Sequence, residues 1–198
     1  MMSVNTMSHS GQARSQAVAA PALMVLTGAP SRVVAAALAT GAAVGLPQLF
    51  HVAGMAAGAG PGFAQSWLPM FLPVLMVGLL AGPVVGVIVG ALSPVVAFAL
   101  TGMPAVAMLP AMTVWLMIGG LVAGLVATRR WNTAVATALV VLTIPVTSFL
   151  WMVATSTVTG AGVGVGAGAW LAYWTHGLAG FALQVVAVGI AILVLRRR

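Results

Sequence analysis

From Val33 onward the chain is a succession of long apolar runs with almost no charge inside them. A helix of about 20 apolar residues crosses about 30 Å of hydrocarbon. Hydrophobic residues make up 62% of the 198 and charged residues 4%, where a soluble domain carries about 25% charged residues. The mean hydropathy of +1.19 agrees. The fold class read from this is an all-α membrane protein.

Six runs can be separated. The first covers about Val33 to Phe50. The second covers Trp67 to Leu80 and is short for a span, which suggests that it is broken, tilted or partly outside the hydrocarbon. Gly82-Pro83 breaks the chain after it. The third covers Val84 to Leu100 and ends at Thr101-Gly102-Met103-Pro104. The fourth covers Ala107 to Ala127, before Arg129-Arg130. The fifth covers Thr133 to Thr155, with Asn132 as its cap. The sixth covers Trp170 to Leu195, before Arg196 to Arg198. Residues 1–31 form a polar tail, Met1 to Gln16, and a short lead-in. Ala17 to Leu26 is too short to span, and a small-residue cleavage signal is weak there. An interfacial helix or a lead-in to the first span is expected, with the six-helix domain at 32–198.

All seven formal charges are arginine: 14, 32, 129, 130, 196, 197 and 198. With six spans and the N-terminus inside, all seven fall on the inner side. That obeys the positive-inside rule without exception and places both termini in the cytoplasm. The outer connections are then 51–66, 101–106 and 156–169. Two of them are long and glycine-rich, which suggests a site opening outward under mobile loops.

The chain has no aspartate, glutamate or cysteine. Paired-carboxylate hydrolysis, calcium or magnesium sites, a Ser-His-Asp triad and thiolate zinc sites are therefore excluded. With no lysine either, so is a P-loop. Proton relays in membranes use Asp, Glu or His, and only His9, His51 and His176 are present. Uphill transport would need energy from a partner. No enzyme activity, metal or cofactor is expected.

Small residues recur at four-residue spacing: Gly78, Gly82, Gly86 and Gly90, then Gly120 and Gly124. Such spacing lets helix backbones approach closely in lipid, and bundle packing is the reading for the glycines. Ala35, Ala39 and Ala43 repeat the spacing on the first span, where a bare face could dock a partner's helix. GAGVGVGAG at 160–168 has no preceding strand and no following acid, so it is no dinucleotide fingerprint. It reads as a flexible loop able to act as a lid.

Aromatic residues gather near the outer interface: Trp67, Trp151, Trp170, Tyr173 and Trp174, beside His51 and His176. Only Trp131 lies at the inner interface. Some of these belong to the ordinary aromatic belt. The outer excess suggests stacking surfaces for a flat heterocycle. The two histidines alone make a poor metal site. Trp115 lies about 12 Å deep, too far in for a belt. The candidate ligand-holding residues are Gln48, His51, Trp67, Phe71, Thr101, Trp115, Trp151, Trp170, Trp174 and His176.

The stretch 67–127 carries FLPVLMVGLLAGP at 71–83, G-x-x-x-G-A-L-S-P at 86–94, LTGMP at 100–104 and GLVAGL at 120–125. In order and spacing it resembles the substrate-binding S components of energy-coupling factor (ECF) transporters, prokaryotic vitamin importers. The resemblance covers about a third of the chain. It implies six spans in the cell membrane and capture of a vitamin or related micronutrient from outside. It also implies association with a transmembrane T component and two cytoplasmic ATPases, followed by toppling and release inside. It implies that Ala35, Ala39 and Ala43 contact the T component.

Relatives sharing the LTGMP stretch often have a histidine two residues before the LPVL-like run and a glutamate in the fourth span. The matching positions here are Met70 or Phe71, and Trp115. Burying a cation without a carboxylate is costly, so a neutral or weakly anionic ligand is expected and a thiamine-like cation is not. The competing reading is a small structural or regulatory membrane protein that binds partner helices and no solute. A bundle filled by side chains, with no outward cavity, would favour it.

Overall fold

The computed structural model describes residues 26, 28–60, 62–129, 131–160 and 163–197. The polar tail and the 17–26 run lie outside the described residues, apart from Leu26. All regular structure among the described residues is helical: α1 Ala29–Ala56, α2 Phe63–Trp67, α3 Phe71–Ala81, α4 Pro83–Thr101, α5 Leu109–Ala127, α6 Thr133–Thr159, α7 Val163–His176 and α8 Leu178–Arg196. A 3₁₀ turn, Val106–Met108, precedes α5.

Six stretches are long and apolar enough to cross a membrane: α1, α2 with α3, α4, the 3₁₀ turn with α5, α6, and α8. Large apolar side chains point outward on α1, α4, α6 and α8, as for Val33, Leu38, Val84, Leu100, Val146 and Ile190, while the α2–α3 stretch is the most enclosed of the six. Lipid is as favourable as a core for such groups, so what holds the helices together is close packing rather than burial from water.

Local chemistry sets the boundaries. Gly82 takes φ 96°, and Pro83 opens α4, where a missing N–H costs nothing. Gly102 and Gly160 end α4 and α6 in the left-handed conformation. Asn132 Oδ1 accepts from the Ala134 N–H at 2.8 Å and caps α6. Inside the spans, hydroxyls donate back to their own helix: Ser93 to Val89 O at 2.7 Å, Thr137 to Thr133 O at 2.9 Å and Thr147 to Thr143 O at 2.8 Å.

The tightest packing lies between α4 and α5, which run antiparallel. A Cβ added to Gly86 would strike the Gly120 carbonyl, and one added to Gly120 would strike Gly86 O. Gly124 lies against the Pro83 backbone and Gly90 against Leu116 O. The glycines expected to serve packing are thus in backbone contact, and Gly78 joins them from α3 by packing on Gly120.

The structure differs from the sequence reading in several places. The sixth run is not one helix. Trp170 to His176 belongs to α7, and the sixth span is Leu178–Arg196. The interruption falls at Gly177, where the Leu68 side chain occupies the space in which a Cβ would stand, so a larger residue would not fit. The 156–169 connection is not a glycine-rich lid. α6 continues to Thr159 and α7 begins at Val163. Alternating alanine, glycine and valine can form a helix when they pack, and Gly166 lies against Met152 and Ser156 of α6. α1 begins before residue 32 and runs past Phe50 to Ala56, so His51 is helical. The short second run is indeed broken, at Leu68 to Met70.

Described arginines gather at one end. Arg32 Nε donates to Leu26 O at 2.9 Å, and Leu26 N donates to Leu80 O at 3.2 Å. Arg196 Nη1 donates to Thr133 Oγ1 at 3.1 Å. Arg129 follows the end of α5. The opposite end carries no arginine among the described residues.

Gly120→Ala is expected to destabilise the protein by about 2–3 kcal/mol, because the methyl group meets rigid backbone. Gly41, with nothing within 4 Å of a built Cβ, should tolerate alanine. Thermal unfolding of the two variants in one detergent checks both; equal melting temperatures would contradict the glycine seam.

Candidate functional site

A partly open cavity of about 770 Å³ lies at the arginine-free end. One wall is α1 with the segment that follows it: Val44, Pro47, Gln48 and His51, then Ala64 and Gln65. A second is the broken stretch Leu68 to Phe71. The facing wall is Ala97 of α4, Met103 to Ala105, Met108 and Met112. Tyr173 of α7 closes a side.

Polarity is uneven around this space. Gln48 and His51 stand three residues apart on α1, so they share a face. Gln65 joins them from α2. The facing wall offers methionines and alanine. None of the lining residues carries a permanent charge. α7, at 14 residues or about 21 Å, is too short to cross the hydrocarbon. Burial pushes the Tyr173 hydroxyl up to about 12, so it remains a neutral donor. Methionine is flexible and polarisable, and adapts to irregular apolar shapes. The cavity suits a ligand with one hydrogen-bonding edge and an apolar body.

The wall at Leu68 is held under strain. Leu68 takes φ 46°, a left-handed conformation costing about 1–2 kcal/mol for a branched residue. Two glycines of the neighbouring helix junction hold it there. The Leu68 side chain rests on Gly177, and the Trp67 carbonyl rests on Gly180. On the other side Phe63 packs on Gly54 of α1. Phe50, Phe63 and Trp67 form a trio with ring centroids 5.7–6.3 Å apart.

Of the ten candidate ligand residues, Gln48, His51 and Phe71 line the cavity. The others lie behind the wall or away from it. Trp67 is in the aromatic trio. Thr101 Oγ1 donates to Ala97 O at 2.7 Å and accepts from Met103 N at 3.3 Å, shaping the turn that carries Met103. Trp170 and Trp174 both donate their indole N–H to Ser148 Oγ, at 2.9 and 3.1 Å, and Ser148 donates to Pro145 O at 2.8 Å. Their polar edges are thus spent on fastening α7 to α6. Trp174 stacks behind the wall, 6.3 Å from Phe71 and 5.6 Å from Tyr173. Trp151 is half-buried against the core, and His176 is exposed at the end of α7. Trp115 is buried one helical turn below Met112, and its Nε1 has no partner among the described residues.

The alanine stripe also turns inward. Ala43 is fully buried, and Ala35 and Ala39 are half-buried against the core. The bare docking face expected there is only partial, because α1 uses its small residues to approach α3 and α4.

Sequence reasoning missed Met103, Met108, Met112, Gln65 and Leu68 as lining residues, and named Met70 only through the resemblance. Single methionines in apolar runs look like lipid-facing residues, and only the fold brings them to one space. Their density between 70 and 112 was the available signal.

Comparison of the chain with protein-family models, with curated proteins and with solved structures finds no match.

Ser148→Ala is expected to cost about 2 kcal/mol by leaving two indole N–H groups without their acceptor. Ser148→Thr, which keeps the hydroxyl, should cost less. Unfolding measured by tryptophan fluorescence checks the order of the two.

Proposed function

We propose that this chain is the substrate-binding S subunit of an ECF-type importer in a prokaryotic cell membrane. It captures a vitamin or related micronutrient from outside and hands it to a T component driven by two ATPases. The observation that carries this reading is the 770 Å³ cavity at the arginine-free end of a bundle lacking side chains for energy coupling. The positive-inside rule turns that end outward and both termini inward. A structural protein that binds only helices has no need of such a space.

Ligand class follows from the wall. Without a carboxylate, a permanent cation would lose its hydration and gain no counter-charge. A neutral or weakly anionic molecule keeps its hydrogen bonds through Gln48, His51, Gln65 and Tyr173, and lays its apolar part on the methionines. The T component docks on α1, the least covered of the six spans. There Val33, Val34 and Leu38 are exposed beside the half-buried Ala35 and Ala39.

Mass spectrometry of small molecules that co-purify with the protein should find one neutral or weakly anionic ligand. Gln48→Leu and His51→Ala should each weaken its binding about tenfold. Tight, saturable binding of a permanently cationic ligand would refute the ligand class. Ala39→Leu should lower cellular uptake while leaving capture by the purified protein intact. Uptake unchanged by all three substitutions would refute the transport reading.

A further inference from the structure

At the arginine-bearing end, Arg196 reaches from the last turn of α8 to the first residue of α6. Its Nη1 donates to Thr133 Oγ1 at 3.1 Å. Its Nη2 is buried and has no hydrogen-bond partner among the described residues. A buried guanidinium nitrogen without an acceptor is costly. The chain has no side-chain carboxylate to supply one, since its Asp and Glu count is zero.

The surroundings add positive potential. Thr133 opens α6, a 27-residue helix whose N-terminal dipole favours an anion. Arg129 precedes Thr133 by four residues, so it lies at most about 14 Å away. Arg197 adjoins Arg196. Thr133 Oγ1 accepts from Arg196, and its own proton has no acceptor among the described residues. Arg196 Nη2 and this hydroxyl are thus two free donors on joined side chains.

We propose that the junction between the start of α6 and the end of α8 binds the phosphate of an anionic phospholipid from the adjoining leaflet, with the Arg196 guanidinium turning to present its covered Nη2. A planar guanidinium fork and a hydroxyl match phosphate oxygens. Exposed apolar side chains lie within two turns of this junction: Val135 and Leu139 on α6, Leu193 and Val194 on α8. They offer a surface for acyl chains, which free phosphate lacks. Trp131, also exposed, stands in the connection before Thr133, where aromatic rings mark headgroup depth. The net charge of +7 favours an anionic headgroup over a zwitterionic one. This site is separate from the cavity and does not depend on what the cavity binds.

The test uses the purified full chain in detergent micelles doped with phosphatidylglycerol or phosphatidylcholine, read by thermal unfolding and native mass spectrometry. Phosphatidylglycerol should be retained and should raise the melting temperature more than phosphatidylcholine does. Arg196→Gln and Thr133→Val should each weaken that retention about tenfold. Arg197→Gln, which removes a charge but no contact with Thr133, should change it less than twofold. Equal weakening by Arg196→Gln and Arg197→Gln would show diffuse attraction and overturn the site. Inorganic phosphate reproducing the full stabilisation would overturn the lipid assignment. Thr133→Val keeps every charge, so retained binding in that variant would overturn the cradle even if Arg196→Gln fails to fold.

Discussion

Backbone contact between α4 and α5 is the constraint from which the rest of the bundle follows. In lipid, burying leucine against leucine yields little, so helices must gain from approach at distances that side chains normally forbid. The contacts run from Gly124 on Pro83, through Gly120 on Gly86, to Leu116 on Gly90. Beyond Gly90 the seam changes character. Ala97 on α4 and Met112 on α5 line the cavity. The bundle is therefore closed by glycine at the arginine-bearing end and open at the other. The same helices that make the fold rigid supply one wall of the site.

Charge divides the molecule along the same axis. The described arginines sit at the end where the α4–α5 glycine seam closes, and none of the residues lining the cavity carries a fixed charge. This arrangement favours neutral chemistry at one end and anionic chemistry at the other. At the open end Gln48, His51 and Tyr173 provide hydrogen bonds without a formal charge at neutral imidazole. At the closed end Arg196 Nη2 has no acceptor among the described residues, and the chain has no Asp or Glu side chain to offer it a carboxylate.

The spans were legible because length and hydropathy alone separate a membrane helix from its surroundings. The glycine seam was legible because four-residue spacing has a physical meaning in lipid. The break at Gly177 was not, since hydropathy runs unbroken through Trp170 to Leu195, and the Leu68 side chain that packs on Gly177 comes from a distant part of the chain. The 160–168 run misled for a related reason. Glycine and alanine carry no local signal that distinguishes a loop from a helix packed against Met152. At the site, Gln48 and His51 were found because polar residues in an apolar helix stand out. The tryptophans were over-weighted. Each indole is a plausible stacking surface in isolation, yet Trp170 and Trp174 direct their N–H groups to Ser148, a partner 22 and 26 residues away in sequence.

Trp115 shows how position alters a chemical inference. Read through the sequence resemblance, its place in the fourth span would be that of an acid, and its bulk and donor-only edge are opposite to a carboxylate. On sequence alone, that exchange carried much of the case for a neutral ligand. In the structure Trp115 lies behind Met112 and does not line the cavity, so its side chain is not what a bound molecule meets. The preference for a neutral ligand rests instead on the whole wall. Gln48, His51, Gln65 and Tyr173 can each share a hydrogen bond, and no residue among those lining the cavity can balance a cation. An acid at 115 would lie beneath this wall, buried and without a described partner. The indole fills that place at lower cost, because an unpaired N–H is far cheaper to bury than an unpaired charge. The tryptophan and the uncharged cavity are then two consequences of one composition, in which no buried carboxylate has to be stabilised anywhere in the bundle.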